Sequence, residues 1–473
     1  MSGVYRFIGV ELPTPGCNLR CEYCYIGQHG DEERILSIDN DKKLFRYTVE
    51  HMLSALSVER MGGACMFNLT GSGETLLCPE LVQIMYGLLE NGHYVSVITN
   101  CTIRDPLEKI ANFPEEYRKR IFFKCSFQYR ELRKREMLDK FASNIGLLKS
   151  HGIAFGIEIV ASDYLLDDIE EIKVFSLEKF GALPHVLTGR NEQIKGTAYQ
   201  KEASQLTDEE YDKLWSSFGS DLFKYQQWAN EIAYQDSFCY AGVYTGTLLF
   251  ETGDFYHCPN MNKVTNFFED IESPIQFAPV SRACPFAFCF CGFFLHIFSG
   301  VIREFDPGVL FYQFRDRVCQ DGSTWLTPSI REVFSHRCSE LHESYSPEKQ
   351  EFYNALMRMV HFNEENEVMS KFISQYCRKN NYRKVAMYGM GKIGKWLLPL
   401  FAKSDVEVAY VIDRRACELQ GECDFALYSP DDSLPGADAI IVSAYSEFTA
   451  IAPMLREKTD IPIVSIVDFA REL

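Results

Sequence analysis

YRFIGVELPTPGCNLRCEYC, residues 5–24, joins a strand-like run to three cysteines. Residues 5–11 have the apolar pattern of a strand, and Pro13, Pro15 and Gly16 end it. Cys17, Cys21 and Cys24 therefore fall in the loop leaving that strand. Three thiolates this close can occupy three corners of a soft-metal site and leave a fourth corner open, as a catalytic site requires. Structural zinc is the competing reading, but it would normally close with a nearby fourth Cys or His, and the next candidate is His29.

Downstream, strand-like stretches at 65–70, 94–99, 121–127, 154–160 and 184–188 alternate with segments of helical apolar spacing, among them 42–56, 79–89, 140–149 and 169–180. Six βα repeats predict a parallel sheet, either an incomplete (β/α) barrel or a doubly wound sheet. A polar stretch, 193–210, precedes a helix to about 234 and then a second group of cysteines, Cys239, Cys258, Cys284, Cys289 and Cys291. Residues 346–379 look helical, and a separate βα unit opens at 385.

The whole chain has 473 residues, 46% of them hydrophobic, and a net charge of −18. That length implies two to four domains with buried cores and excludes a wholly disordered chain. So negative a chain, without a basic patch, is not expected to bind nucleic acid or an acidic membrane. Its 17 cysteines are odd in number, so they cannot all be paired. No basic n-region leads into an apolar h-region at the N-terminus, which points to a reducing cytoplasm where clustered cysteines bind metal. Residues 284–302 lack Asp, Glu, Lys and Arg and are long enough to cross a bilayer, but Pro285, His296 and three cysteines favour a buried cysteine-rich shell.

The C-x3-C-x2-C spacing after strand one resembles the radical S-adenosylmethionine (SAM) enzymes. The resemblance implies a [4Fe-4S] cluster on Cys17, Cys21 and Cys24 that chelates SAM, and reductive cleavage of SAM to a 5′-deoxyadenosyl radical that abstracts a substrate hydrogen. A reductant such as flavodoxin or ferredoxin would be its partner. Tyr23 matches the family's aromatic beside adenine. Gly71-Ser-Gly-Glu-Thr-Leu-Leu77 is similar to the glycine-glycine-glutamate segment, with Ser72 in place of the first glycine. There Gly73 permits close backbone approach and Glu74 offers a carboxylate to the SAM ammonium. Asn100, Ser126 and Gln128 match strand-end residues that hold the ribose and the SAM carboxylate. Residues 156–160, with Ile159, resemble the strand that packs on adenine, and Arg190 is a candidate for the cofactor carboxylate.

Cys239 and Cys258 flank Gly253 in a C-x13-G-x4-C pattern similar to the SPASM and twitch extensions of this family, with hairpin strands expected at 246–251 and 255–257. The resemblance implies at least one auxiliary iron-sulfur cluster on Cys239, Cys258, Cys284 and either Cys289 or Cys291. The downstream spacing departs from the full SPASM pattern; a second cluster recruiting Cys319 or Cys338, zinc, and buried free thiols are the alternatives. Near the end, Gly389, Gly391 and Gly394 form G-x-G-x-x-G between a strand and a helix, and Asp413 ends the next strand. Such a loop can receive a pyrophosphate and the acid a ribose. The unit resembles Rossmann-like domains of sugar-tailoring enzymes, which bind a nucleotide or nucleotide-sugar or serve as docking modules.

The expected architecture is α/β: an incomplete (β/α)6 TIM-like barrel at 1–200, a linker helix at 201–235, a cysteine-rich twitch-like α+β extension at 236–300, a mixed connector at 301–379 and a Rossmann-like α/β domain at 380–473. The expected function is a radical SAM enzyme that oxidises or rearranges a small metabolite such as a sugar or nucleotide-sugar. A first strand near residue 5 leaves no room before it for the peptide-recognition domain common in peptide-modifying relatives, which makes a peptide maturase the alternative. An electron-transfer protein without turnover is the reading from another class. The polar run 301–345 suggests no mechanism and reads as a connection between domains.

Overall fold

The computed structural model describes residues 3–24, 44–189, 201, 204–231, 238–258, 262–275, 277–280, 297–302, 309–342, 366–419, 425–444 and 448–466. Arg190, Cys284, Cys289 and Cys291 lie outside the described residues. The chain forms two compact units, residues 1–346 and 347–473.

The first unit is built on β1 (Arg6–Leu12), β2 (Cys65–Gly71), β3 (Tyr94–Thr99), β4 (Ile121–Ser126), β5 (Ala154–Ala161) and β6 (His185–Thr188). They pair in sequence order and all in parallel. A sheet that winds in one direction, without a reversal of strand order, is barrel winding rather than double winding. Helices α1 (Val49–Ser54), α2 (Leu81–Glu90), α3 (Arg104–Ala111), α4 (Tyr129–Lys134), α5 (Leu138–Ser150) and α6 (Ile169–Phe180) connect them.

Side chains alternate between the two faces of each strand. Ile8, Val10, Phe67, Leu69, Val95, Val97, Phe123, Ile157 and Ile159 share one core with Leu81, Ile84, Leu107, Ile145 and Ile172 of the helices. On the opposite, inner face Phe7, Met66, Phe122 and Ala154 pack with Phe298, Phe311 and Phe334. All four strand residues lie near the beginnings of their strands, so segments 297–302 and 309–342 plug the N-terminal end of the sheet's inner face. The polar run that suggests no mechanism in sequence thus supplies part of the core, and the strands' C-terminal ends are left to carry the site.

β7 (Thr245–Leu249) pairs in parallel with β1 on the side away from β2, from Phe7↔Thr245 to Glu11↔Leu249. It turns at Gly253, whose φ of +84° is glycine territory, into antiparallel β8 (Asp254–Tyr256), and β9 (Thr265–Asn266) follows. The hairpin expected between the second-group cysteines is present, and it continues the barrel sheet to nine strands. Among the described residues no helix is long and apolar enough to cross a membrane.

The second unit holds a five-stranded parallel sheet, ordered β12 (Leu427–Tyr428), β11 (Glu407–Ile412), β10 (Lys384–Tyr388), β13 (Ala439–Val442) and β14 (Ile463–Ser465). The order runs outward in both directions from β10, so a switch point lies between β10 and β13. Val385 and Met387 pack with Ile373 and Leu397, whereas Ala386 and Tyr388 pack with Ile451 and Leu455. One sheet face therefore meets α7 (Asn366–Lys379) and α8 (Lys392–Ala402), and the other meets α9 (Phe448–Arg456).

Candidate functional site

The cysteine loop leaves the C-terminal end of β1 and is braced from three neighbouring elements. From β2, the Glu74 N–H donates to Gly16 O at 2.9 Å and the Ser72 N–H to Leu12 O at 3.3 Å. A Cβ on Gly73 would sit 2.2 Å from Gly16 O, so glycine is required for this approach. From β3, Asn100 Nδ2 donates to Asn18 Oδ1 at 2.8 Å, Asn18 Nδ2 donates to the Thr102 hydroxyl at 2.8 Å, and that hydroxyl donates to Asn100 Oδ1 at 2.6 Å. This closed ring ties the loop to the strand end. From α4, Glu131 Oε1 accepts the Arg20 backbone N–H at 3.0 Å, while the Arg20 guanidinium donates to Cys17 O at 2.5 Å and Leu19 O at 2.8 Å.

Glu74 is 2% exposed. Its Oε1 accepts from the Leu76 N–H at 3.0 Å and from the Thr99 hydroxyl, and its Oε2 from the Asn100 N–H at 2.8 Å. Burial pushes the carboxyl's pKa upward against the pull of these donors. A carboxylate offers about four acceptor sites, so about one remains beyond these three donors. The sequence assigns Glu74 to the cofactor; its contacts also make it the clasp between β2 and β3.

Cys17, Cys21 and Cys24 are half-buried. Burial pushes the Cys17 and Cys21 thiols upward, and at Cys21 the neighbouring Cys24 and Cys17 add to it. Thiols in this state gain most from a bound cation, which reverses both effects. Among the described residues no three His, Cys, Asp or Glu side chains are gathered to hold a single metal ion. A four-iron cluster spreads its corner ligands more widely than one ion does. Three thiols on a loop pinned at Gly16, Asn18 and Arg20 suit such a group. Tyr23, in the same loop, packs against the main core, and burial raises its hydroxyl.

Ser126 ends β4 and Gln128 opens α4. The Gln128 Oε1 is buried with no hydrogen-bond partner among the described residues. An orphaned acceptor here suits a ligand hydroxyl. Ile159 faces the helices with Phe155 and Ile157, so it is Gly156, Glu158 and Val160 that share the inner face.

The sequence alone gives Glu158 no role and does not reveal its partner. Arg315, at the end of a short helix Phe311–Arg315, is fully buried and pairs with Glu158, which is 4% exposed. Burial alone would raise the Glu158 carboxyl, but Arg315 and Lys124 outweigh it and hold it below the usual range. Burial pushes Lys124, on the inner face of β4, down to about 8 despite Glu158. The available signal was a charged residue at an inward position within each of two apolar strands.

In the second cysteine group, Cys239 and Cys258 are half-buried beside the inner core. The Tyr240 N–H donates to Val301 O at 2.7 Å and the Val280 N–H to Ala241 O at 2.9 Å. A Cβ on Gly242 would lie 2.1 Å from Ala278 O and 2.6 Å from the His257 ring. Residues 239–242, 257–258 and 278–280 therefore converge.

In the second unit, Gly389 has φ +100° and a Cβ on Gly394 would lie 1.9 Å from Gly389 O. Gly391 caps α8 with open space at its Cβ position. Asp413 is 8% exposed, and its carboxylate accepts the Met390 N–H at 2.6 Å and the Arg415 N–H at 2.8 Å. It therefore holds the glycine loop from the position directly after β11.

Residues 12–174 match the family model described as the Radical SAM superfamily, a stretch running from the last residue of β1 through β5. No curated protein matches the chain. Among solved structures, Streptococcus suis SuiB bound to S-adenosylmethionine is 16% identical with a TM-score of 0.38, over 57% of this chain and 64% of that one. This chain thus covers just under two thirds of SuiB. Native anSMEcpe with bound AdoMet is 15% identical with a TM-score of 0.35, over 56% of this chain and 78% of that one. Overlaps this loose carry no argument about substrate. The cysteine loop and strands β2 to β5 of the one-directional parallel sheet thus fall in the same stretch, residues 12–174, that matches the Radical SAM superfamily model, and that stretch is a radical SAM domain.

Proposed function

We propose that the chain holds a [4Fe-4S] cluster on Cys17, Cys21 and Cys24, binds SAM at the ends of β2 to β5, and abstracts a hydrogen atom from a small polar metabolite such as a sugar or nucleotide-sugar. The observation that carries this reading is the cysteine loop, its three thiols free, pinned to β2, β3 and α4. Once bound, the reduced cluster and SAM supply the 5′-deoxyadenosyl radical that abstracts hydrogen. Glu74 has acceptor capacity left for an ammonium, and Gln128 Oε1 and the Ser126 hydroxyl can take ribose hydroxyls. Asn100 keeps the loop in register with β3.

The inner face supports a polar substrate. Glu11 is exposed on the central strand β1, opposite Thr70 of β2, and the Lys124, Glu158 and Arg315 charges lie on the same face. Convergence of 239–242, 257–258 and 278–280 supports an auxiliary iron-sulfur cluster on Cys239, Cys258, Cys284 and either Cys289 or Cys291 in a twitch-like extension. The glycine loop at a switch point supports a Rossmann-like second unit able to take a nucleotide or nucleotide-sugar, with Asp413 shaping the loop.

Anaerobic reconstitution followed by assay of 5′-deoxyadenosine from SAM under dithionite tests this. Replacing Cys17, Cys21 and Cys24 with Ala should abolish release and leave auxiliary iron, whereas replacing Cys239 and Cys258 should lower iron and leave the SAM-binding cluster. Release that survives the first set of changes would overturn the radical assignment, and iron unchanged by the second would remove the auxiliary cluster.

A further inference from the structure

We propose that Glu131 is a positioning residue for the cysteine loop and that its charge sets the reduction potential of the cluster held there. The proposal rests on Cys17, Cys21 and Cys24 being cluster ligands. An acid in the first turn of a helix is ordinarily a solvent-exposed complement to the helix dipole. Glu131 occupies the first turn of α4 but is 9% exposed, and glutamate is seldom so buried unless paired. Its Oε1 accepts both the Arg20 backbone N–H, at 3.0 Å, and the Arg135 guanidinium. Arg20 lies between Cys17 and Cys21, and its own guanidinium closes on Cys17 O and Leu19 O. One carboxylate thus joins the helix after β4 to the middle of the ligand loop after β1.

Two contributions follow, and substitution separates them. As an acceptor, Glu131 fixes the Arg20 peptide and with it the spacing of the flanking cysteines. As an anion, it opposes addition of an electron to a nearby cluster, because net charge and hydrogen bonding around such clusters tune their potentials. Glu131→Gln keeps an acceptor for the Arg20 N–H and removes the charge. Arg135→Met keeps the charge and removes its counterion. Glu131→Ala removes both acceptor and charge.

The test is an anaerobic redox titration of the reconstituted full chain, followed by the electron paramagnetic resonance signal that changes when SAM is added, together with iron content after desalting. Glu131→Gln should keep its iron and shift that potential to a less negative value. Arg135→Met should shift it to a more negative one. Glu131→Ala should lose iron from the SAM-responsive cluster. Wild-type potentials in both Glu131→Gln and Arg135→Met would overturn the charge role, and full iron retention in Glu131→Ala would overturn the positioning role. Absence of any SAM-responsive signal from the wild-type chain would instead overturn the cluster assignment beneath the proposal.

Discussion

His93 illustrates how far a single residue can be derived from its contacts. Its ring is fully buried, with Nδ1 3.1 Å from the Cys65 N–H and Nε2 2.7 Å from Leu56 O. The amide can only donate, so Nδ1 accepts and Nε2 carries the proton: the folded state needs the neutral ring. Burial, partly offset by the Leu56 bond, pushes its pKa down to about 4. An unfolded histidine titrates near ~6.5, so protonation favours the unfolded chain as pH falls below that value. The contribution is fully present above the unfolded pKa, declines between about 6.5 and about 4 and is level below that, roughly 3 kcal/mol in all. Urea unfolding at pH 7 and pH 4.5 should show a smaller loss of stability for His93→Gln than for the wild type. An equal loss would place the acid sensitivity elsewhere. Residue roles were unevenly legible in the sequence. Gly73 was read as permitting close approach, and its approach is to the cysteine loop. Asn100 and Asp413 were read as ligand contacts, yet the bonds seen here are to the protein's own loops. A motif names the residue types a turn requires, but it does not say which partner each polar atom meets.

At the scale of elements, strands β1 to β6 were legible because apolar runs buried on both faces, punctuated by turns, leave few alternatives. The hairpin β7–β8 was legible from Gly253 between two strand-like runs. Its parallel pairing with β1 was not, since that contact joins residues more than two hundred positions apart and local pattern carries no record of it. The stretch 309–342 was the largest miss. Its charges suggest a connection between domains, whereas Phe311, Phe314, Ile330 and Phe334 are core residues and Arg315 is fully buried against Glu158. Breaking such a pair leaves one charge buried without its partner, typically costing 3–5 kcal/mol, while replacing both ends by well-packed neutral groups costs far less. Arg315→Met alone should therefore lower chemical-denaturation stability by about 3 kcal/mol or more. Adding Glu158→Gln together with Lys124→Met should restore much of it, because no buried charge is then left without a counterion. Costs that simply add would mean that the pair does not couple the 309–342 segment to the sheet.

For the whole molecule, the decisive fact is that, among the described residues, each core draws on one unit alone. The cores of the first unit draw on residues up to 338, and those of the second begin at Ile373. Within the first unit β1 is hydrogen-bonded on both sides, to β2 of the barrel and to β7 of the cysteine-rich segment. The cysteine loop leaves the end of that shared strand, so barrel and cysteine-rich segment cannot lose their pairing independently. They should melt as one cooperative transition and the second unit as another. Gly394→Ala discriminates between the two: its Cβ would meet Gly389 O at 1.9 Å, a backbone atom that cannot swing away as a side-chain tip would. Calorimetry of the full chain should therefore show two transitions, with Gly394→Ala lowering one by several degrees and Arg315→Met lowering only the other. A single transition moved by both substitutions would mean that the two sheets fold as one body, and the glycine loop would then have to be considered part of the same cooperative structure as the cysteine loop.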